Sequence, residues 1–240
     1  MSALSVRGLS KRFRGLQAVD ELSFDVPERA IVALIGPNGA GKTTTFNLIA
    51  GVTPPDSGDI HFGGLRLNRL PPHRVCAAGI ARTFQIVRPF GELTLEDNVL
   101  IGCLRATSDV DRARDAARRI LERLDLWTRR HQRAASLTLP DRKRLEVARA
   151  LGTRPKLLLL DEVMAGLRPT ETDQMVAFFR EINRDLGVTI LLIEHVMRAV
   201  MALAQQVVVL NYGKKIAEGT PEAVVRDPAV LDCYLGEETV

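Results

Sequence analysis

Residues 36 to 44 read GPNGAGKTT and follow directly on the apolar run Ile31-Val32-Ala33-Leu34-Ile35. That junction constrains the fold more than any other stretch of the chain. The apolar run is continuous and rich in β-branched residues, which predicts a central strand buried on both faces. Lys42 to Ala50 has helical composition, and Gly51 is placed to end that helix. A strand, a glycine-rich turn and a helix in this order match G-x-x-x-x-G-K-T. Gly36, Gly39 and Gly41 let the backbone curl, so that successive amide protons point inward at phosphate oxygens. The stretch Gly36, Pro37, Asn38, Gly39, Ala40, Gly41, Lys42, Thr43 and Thr44 is therefore a candidate polyphosphate cradle. The helix that follows adds its free N-terminal donors. Lys42 brings a cation to the β and γ phosphates, and Thr43 offers a hydroxyl to Mg²⁺.

A second apolar run, Leu157 to Leu160, ends in Asp161-Glu162. Four leucines predict a buried strand with two carboxylates at its C-terminal end, where parallel sheets place their sites. Asp161 is a candidate Mg²⁺ ligand through the ion's water shell. Glu162 faces a different way because strand side chains alternate, and it is a candidate to polarise an attacking water.

Elsewhere the chain alternates strands and helices. Leu4-Ser5-Val6 and Leu22 to Val26 show period two, and 58–64 reads as a short strand and turn. From Asp111 to Leu126 apolar residues recur at spacings of three and four among arginines, which predicts an amphipathic helix. Asp141 to Leu151 and Thr170 to Leu186 predict two more helices, with strands at 188–193 and 207–210. The expectation is an α/β fold with a P-loop core, a mostly parallel sheet, a β-rich N-terminal part and an inserted helical subdomain. Residues 1–240 would form a single domain, with the nucleotide-binding core at 1–85 and 156–240 and the helical subdomain at 86–155.

Composition excludes more than it identifies. With 33 basic and 29 acidic residues, the net charge of +4 is too small to establish nucleic-acid binding. Cys76, Cys103 and Cys233 lie far apart and show neither metal-ligand nor disulfide spacing, which favours a reducing compartment. The opening MSALSVRGLSKRF lacks the apolar stretch of a secretory signal, and no apolar run approaches the roughly 20 residues that span a bilayer. The expectation is a soluble chain that reaches a membrane only through partners.

Several further segments stand in a fixed order: ARTFQ at 81–85, RKRLEVARAL at 142–151, AGLRP at 165–169 and IEH at 193–195. With GPNGAGKT and LLLLDE, these resemble the ATP-binding subunit of ABC transporters over nearly the whole chain. ARTFQIVRPFGELTLEDNVLIG, and VVVLNYGKKIAEGTP with its YLG ending, resemble the bacterial branched-chain amino-acid uptake (LivG-type) group in particular. The implied function is an ATP-hydrolysing subunit that powers a membrane importer for branched-chain or other hydrophobic amino acids, and the alternative is the sister group that imports urea and short amides.

The resemblance implies the remaining roles. Gln85 is similar to the glutamine that senses the γ-phosphate and Mg²⁺ and links nucleotide state to the membrane subunits. His195 is similar to the histidine that hydrogen-bonds the γ-phosphate, and Phe13 to the aromatic that stacks on adenine. ATP and Mg²⁺ are the implied cofactors. The implied partners are a second ATP-binding subunit, identical or sister, two transmembrane permease subunits and a solute-binding protein, with no direct nucleic-acid partner. The implied location is the cytoplasmic face of the plasma membrane.

The signature segment departs from the family's L-S-G-G-Q. It reads Leu137-Thr138-Leu139-Pro140-Asp141. Thr138 keeps the hydroxyl expected to meet a γ-phosphate across the dimer. Pro140 has no amide proton. Asp141 brings negative charge near the phosphate position, with a helix expected to start there and Arg142, Lys143 and Arg144 expected to compensate. Val163 stands where proline is usual and Arg168 where Asp or Asn is usual. Two other function classes fit a P-loop dimer: an ATP-gated nucleic-acid protein, disfavoured by the weak charge and the missing coiled-coil insertion, and a regulatory, largely non-hydrolytic subunit, suggested by Pro140 and Asp141.

Overall fold

Strands and helices alternate along most of the chain, which a computed structural model describes from residue 2 to residue 235. In order, β1 (Ser2–Phe13), β2 (Leu16–Pro27) and β3 (Ile31–Ile35) lead into α1 (Lys42–Ile49). Then come β4 (Ser57–Phe62), β5 (Leu65–Arg66), α2 (Pro72–Ala78) and β6 (Ile80–Arg82). Three helices occupy the middle: α3 (Leu95–Leu104), α4 (Val110–Arg123) and α5 (Leu139–Gly152). The last third holds β7 (Leu157–Asp161), α6 (Pro169–Leu186), β8 (Thr189–Ile193), α7 (Met197–Leu203), β9 (Gln206–Asn211), β10 (Lys214–Gly219), α8 (Pro221–Val224) and α9 (Pro228–Leu235). Gly236, the last residue of the YLG ending, lies outside the described residues.

The strands form two sheets. An antiparallel sheet has the order β2-β1-β4-β5, and a larger one the order β10-β9-β3-β8-β7-β6. In the larger sheet β6, β7, β8, β3 and β9 run parallel, and only the edge strand β10 is antiparallel. The parallel strands are apolar throughout because both of their faces are covered. Ile31, Ala33, Ile35, Leu158 and Leu160 point into one core, while Val32, Leu34, Leu157 and Leu159 point into the other. The first core takes in Ala117 and Leu121 of α4, Leu145 and Ala148 of α5 and Phe179 of α6. The second joins α1 to the antiparallel sheet through Phe46, Leu9 and Phe24. Among the described residues no helix is long and apolar enough to cross a membrane.

Two helix boundaries differ from the periodicity. The amphipathic pattern runs to Leu126, but α4 ends at Arg123, because Asp125 is left-handed at φ 56° and breaks the spiral. The helix expected to begin at Asp141 begins at Leu139, with Thr138 as its N-cap. Pro140 fits the first turn because amides there have no acceptor within the helix. Helix α3 escaped the periodicity argument because LEDNVLIGCL is apolar on most of its circumference. It is set instead by Thr94, whose hydroxyl accepts from Asp97 N at 3.1 Å.

Candidate functional site

The cradle residues 36–41 occupy the turn between β3 and α1, and each glycine is there for its own reason. A Cβ on Gly36 would lie 2.1 Å from Leu210 O, and one on Gly41 would lie 2.3 Å from Ala18 O. Both glycines therefore allow backbone to pass close by. Gly39 faces open space, and what it supplies is a left-handed φ of 78°. Ala40 N donates to Pro37 O at 3.2 Å, and Thr45 N to Gly41 O at 2.9 Å. Helix α1 has neither a side-chain cap nor an acidic residue in its first turn, so its free amides present an uncancelled positive end. Lys42 Nζ donates to Gly36 O at 2.6 Å and to Pro37 O at 2.7 Å, holding the ammonium against the loop. Thr43 is exposed in the first helical turn and Thr44 is half-buried.

The β1–β2 hairpin leans on this loop. Asp20 N donates to Gly213 O at 2.9 Å, and Gly213 N to Ala40 O at 3.0 Å. Phe13, at the hairpin end, is 45% exposed, with Lys11 Nζ 5.5 Å from its ring centroid. A flat base can stack on such a face.

Asp161 closes β7 and is almost wholly buried. Its Oδ2 accepts from Arg82 at 2.7 Å, while its Oδ1 is buried without a hydrogen-bond partner. Burial pushes its carboxyl above the usual range, against the pull of Arg82. Arg82 also donates to Asn47 Oδ1 at 2.6 Å, and its guanidinium lies over the rings of Phe46 and Phe84. The sequence reading assigned no role to Arg82, and its only signal was membership of ARTFQ. The unpartnered Oδ1 and the exposed Thr43 hydroxyl are hard oxygen donors of the kind Mg²⁺ takes.

Glu162 does not owe its direction to strand alternation alone. It lies one residue past β7 in the left-handed region, at φ 49°. That conformation costs a non-glycine residue roughly 1–2 kcal/mol and persists only where neighbours enforce it. Its amide donates to Ile193 O at 2.9 Å, its carbonyl accepts from Lys143 at 2.9 Å, and its Oε2 accepts from Gln85 Nε2 at 2.8 Å. The fold thus brings Gln85 and Glu162 into contact across 77 positions of sequence.

His195 is exposed two residues beyond β8 and makes no hydrogen bond among the described residues. Its neighbour Glu194 is buried, and Glu194 Oε1 accepts from Met164 N at 2.8 Å. Glu146, on α5, accepts from Phe84 N at 2.6 Å. Burial pushes each of these two carboxyls up to about 7.

At the signature segment the structure corrects the expected electrostatics. Asp141 turns inward and is 8% exposed. Its carboxylate accepts from Arg129 at 2.7 Å and from the Thr138 hydroxyl at 2.9 Å, and Arg144 lies 3.8 Å away. The Arg129 hydrogen bond, against a desolvation penalty, holds its carboxyl below the usual range. The negative charge is therefore met by Arg129 and Arg144, whereas Arg142 and Lys143 are turned to backbone carbonyls. Arg142 donates to Leu137 O at 2.9 Å. Lys143 is buried against Glu162 and Ala165. Val163 is buried, and Arg168 caps α6, its amide donating to Glu171 Oε2 at 2.8 Å.

A parallel sheet with a glycine-rich phosphate loop at the end of one strand and paired acidic residues at the end of another defines a P-loop nucleoside triphosphatase. Comparison with known proteins narrows this. A family model described as ABC transporter matches residues 19–165, and one described as branched-chain amino acid ATP-binding cassette transporter matches 214–240. The chain belongs to the ABC transporter family, as an ATP-binding subunit. It is 40% identical to the high-affinity branched-chain amino acid transport ATP-binding protein BraF of Pseudomonas aeruginosa, over 98% of each chain. Identity to the lipopolysaccharide export system ATP-binding protein LptB of Escherichia coli is 34% over 99% of each. A nucleotide-free ATP-binding cassette from an ABC transporter superposes with a TM-score of 0.89 at 30% identity, over 98% of this chain and 99% of that one.

Proposed function

We propose that this chain hydrolyses Mg²⁺-ATP and so powers a membrane importer for branched-chain or other hydrophobic amino acids. The observation that carries the catalytic part is the contact between Gln85 and Glu162, beside the buried, half-unpartnered Asp161. Gly36 to Thr44 bind the phosphates, with Lys42 as the cation, and Phe13 takes the base. Thr43, Asp161 and Gln85 would hold Mg²⁺, partly through water, and the bound ion would supply electrostatic stabilisation of phosphate charge. Glu162 accepts the proton of the attacking water, Gln85 orients that carboxylate, and His195 donates to the γ-phosphate. Thr138 meets the nucleotide of a second ATP-binding subunit, sister or identical.

The solute class rests on the relatives. Identity is higher to the branched-chain amino acid transport protein than to the lipopolysaccharide export protein, and the match at 214–240 agrees with it. Docking on two permease subunits at the cytoplasmic face is supported by the apolar side chains around Gln85. Phe84, Ile86 and Phe90 are 54%, 68% and 46% exposed. In this reading 86–155 is the helical subdomain that engages the permease, and 1–85 with 156–240 is the core that holds nucleotide.

The test is reconstitution with the permease subunits and a solute-binding protein. Leucine should stimulate ATP hydrolysis several-fold, while urea and acetamide should not. Glu162→Gln should keep ATP binding and lower the single-turnover rate at least a hundredfold. Stimulation by urea alone would overturn the solute assignment, and an unchanged single-turnover rate would overturn the role of Glu162.

A further inference from the structure

Lys143 is an unusual side chain to find where it is. It lies one turn into α5 and is 5% exposed. Its Nζ donates to Glu162 O at 2.9 Å and to Ala165 O at 2.5 Å. Those two carbonyls are the two ends of one turn, since Ala165 N itself donates to Glu162 O at 3.3 Å. Inside the same turn, Met164 N is held by the buried Glu194. A lysine and a glutamate therefore both grip the backbone of 162–165, and neither makes a hydrogen bond to the side chain of Glu162.

We propose that Lys143 is a positioning residue for Glu162: by fastening the carbonyls of Glu162 and Ala165 it keeps Glu162 left-handed and so keeps its carboxylate beside Gln85. This rests on the assignment of Glu162 as the group that accepts the water's proton. The φ of 49° is unfavourable for glutamate, so the conformation needs external anchors. The amide bond to Ile193 O fixes where the residue leaves β7. It does not fix the orientation of the following peptide plane, and that plane carries the carbonyl Lys143 holds. Without the ammonium, the Glu162 carbonyl keeps the longer bond from Ala165 N at 3.3 Å, a weaker hold, and Glu162 relaxes toward the right-handed region. Its Cβ then swings, and the carboxylate leaves Gln85. Burial pushes the Lys143 ammonium below the usual lysine range, and the nearby carboxyls of Glu194, Glu146 and Glu162 offset part of that penalty. Lys143 belongs to α5, the helix whose N-cap position is Thr138, so its two bonds tie the Glu162 turn to that helix.

The test uses the full chain in the reconstituted transporter. Lys143→Met preserves the length of the side chain and removes its donors, and Lys143→Arg retains donors for both carbonyls. Single-turnover hydrolysis and Mg²⁺-ATP affinity are measured for each. Lys143→Met should lower the single-turnover rate at least tenfold with affinity unchanged within twofold, and Lys143→Arg should recover most of the rate. Lys143→Met combined with Glu162→Gln should be no slower than Glu162→Gln alone, because the lysine acts through the carboxylate. Where Lys143→Met fails to fold, Lys143→Gln serves instead, since it leaves a polar tip too short to reach both carbonyls. A Lys143→Met rate within twofold of wild type, a loss seen in affinity rather than rate, or additive losses in the double variant would each overturn the proposal. In those cases an inactive Glu162→Gln leaves the role of Glu162 standing; a fully active Glu162→Gln overturns both.

Discussion

Arg82 and Asp161 form a buried ion pair at 2.7 Å, with side chains 8% and 2% exposed, and the pair leaves Asp161 Oδ1 without a protein partner. Removing one member of such a pair strands the other charge. Arg82→Met should therefore cost about 3–5 kcal/mol of stability at neutral pH. The sign of the pH dependence is fixed. Asp161 is already pushed up by burial, and losing Arg82 pushes it further, so the cost should grow as pH rises. Urea denaturation at pH 5.5 and pH 8 checks both points; an equal, small loss at both would show that the pair contributes little.

The phosphate-loop glycines should not be equally replaceable. A methyl group on Gly36 would lie 2.1 Å from a backbone oxygen of β9, which has no side-chain freedom to yield. Gly36→Ala should cost upwards of about 2 kcal/mol and abolish nucleotide binding. Gly39→Ala meets nothing within 4 Å and should cost only the left-handed penalty, about 1 kcal/mol. Thermal denaturation and nucleotide titration of the two variants, side by side, decide it.

Glu194 should make the protein less stable as the solution becomes more alkaline. Burial raises its carboxyl from 4.5 to about 7. The folded state thus holds the proton more tightly than the unfolded state. The stability this gives is complete below about pH 4.5 and is lost as pH climbs through 7, by about 3 kcal/mol at most. Glu194→Gln keeps an acceptor for Met164 N and removes the titration. It should be more stable than wild type at pH 8 and show a flatter profile between pH 5 and 8. An unchanged profile would place the titration elsewhere.

The two composite nucleotide sites of a heterodimer should be unequal. If the second ATP-binding subunit has an ordinary signature, only the site built with this chain's Leu137 to Asp141 is compromised. Arg129 meets the charge of Asp141, so the defects that remain are the missing Pro140 amide and the Thr138 hydroxyl, whose proton goes to Asp141 at 2.9 Å. Loss of one donor aimed at developing charge costs roughly 3 kcal/mol, about a hundredfold in rate. Glu162→Gln should then nearly abolish turnover, whereas the matching change in the other subunit should leave a substantial fraction. Equal losses in the same reconstituted complex would reject the asymmetry.

The short buried strands were legible because a strand covered on both faces must be apolar at every position. Ile31 to Ile35 and Leu157 to Leu160 admit no other reading at that length beside a glycine turn or an acidic pair. Helices α4 and α6 were legible for the complementary reason, one apolar stripe each. Strand β6 was not legible: three residues carry no periodicity, and Ile80 to Arg82 become a strand only because β7 offers them an edge. The phosphate loop could be read in full because its chemistry is local, made by the backbone of consecutive residues.

The sequence alone determined the loop, the carboxylates at a strand end and the family to which their order points. Only the tertiary structure decided how the distant groups combine. Whether Asp141 opposes a phosphate or turns inward depends on Arg129, twelve residues earlier on a different element. Arg82 carried no signal of its own, yet it partners one of the two carboxylate oxygens of Asp161. Lys143, expected to join Arg142 and Arg144 in compensating Asp141, proves to be buried against the carbonyls of Glu162 and Ala165. Hydrogen bonds and desolvation act through space at about 3 Å, and a pattern along the chain records which groups are present but not which of them meet.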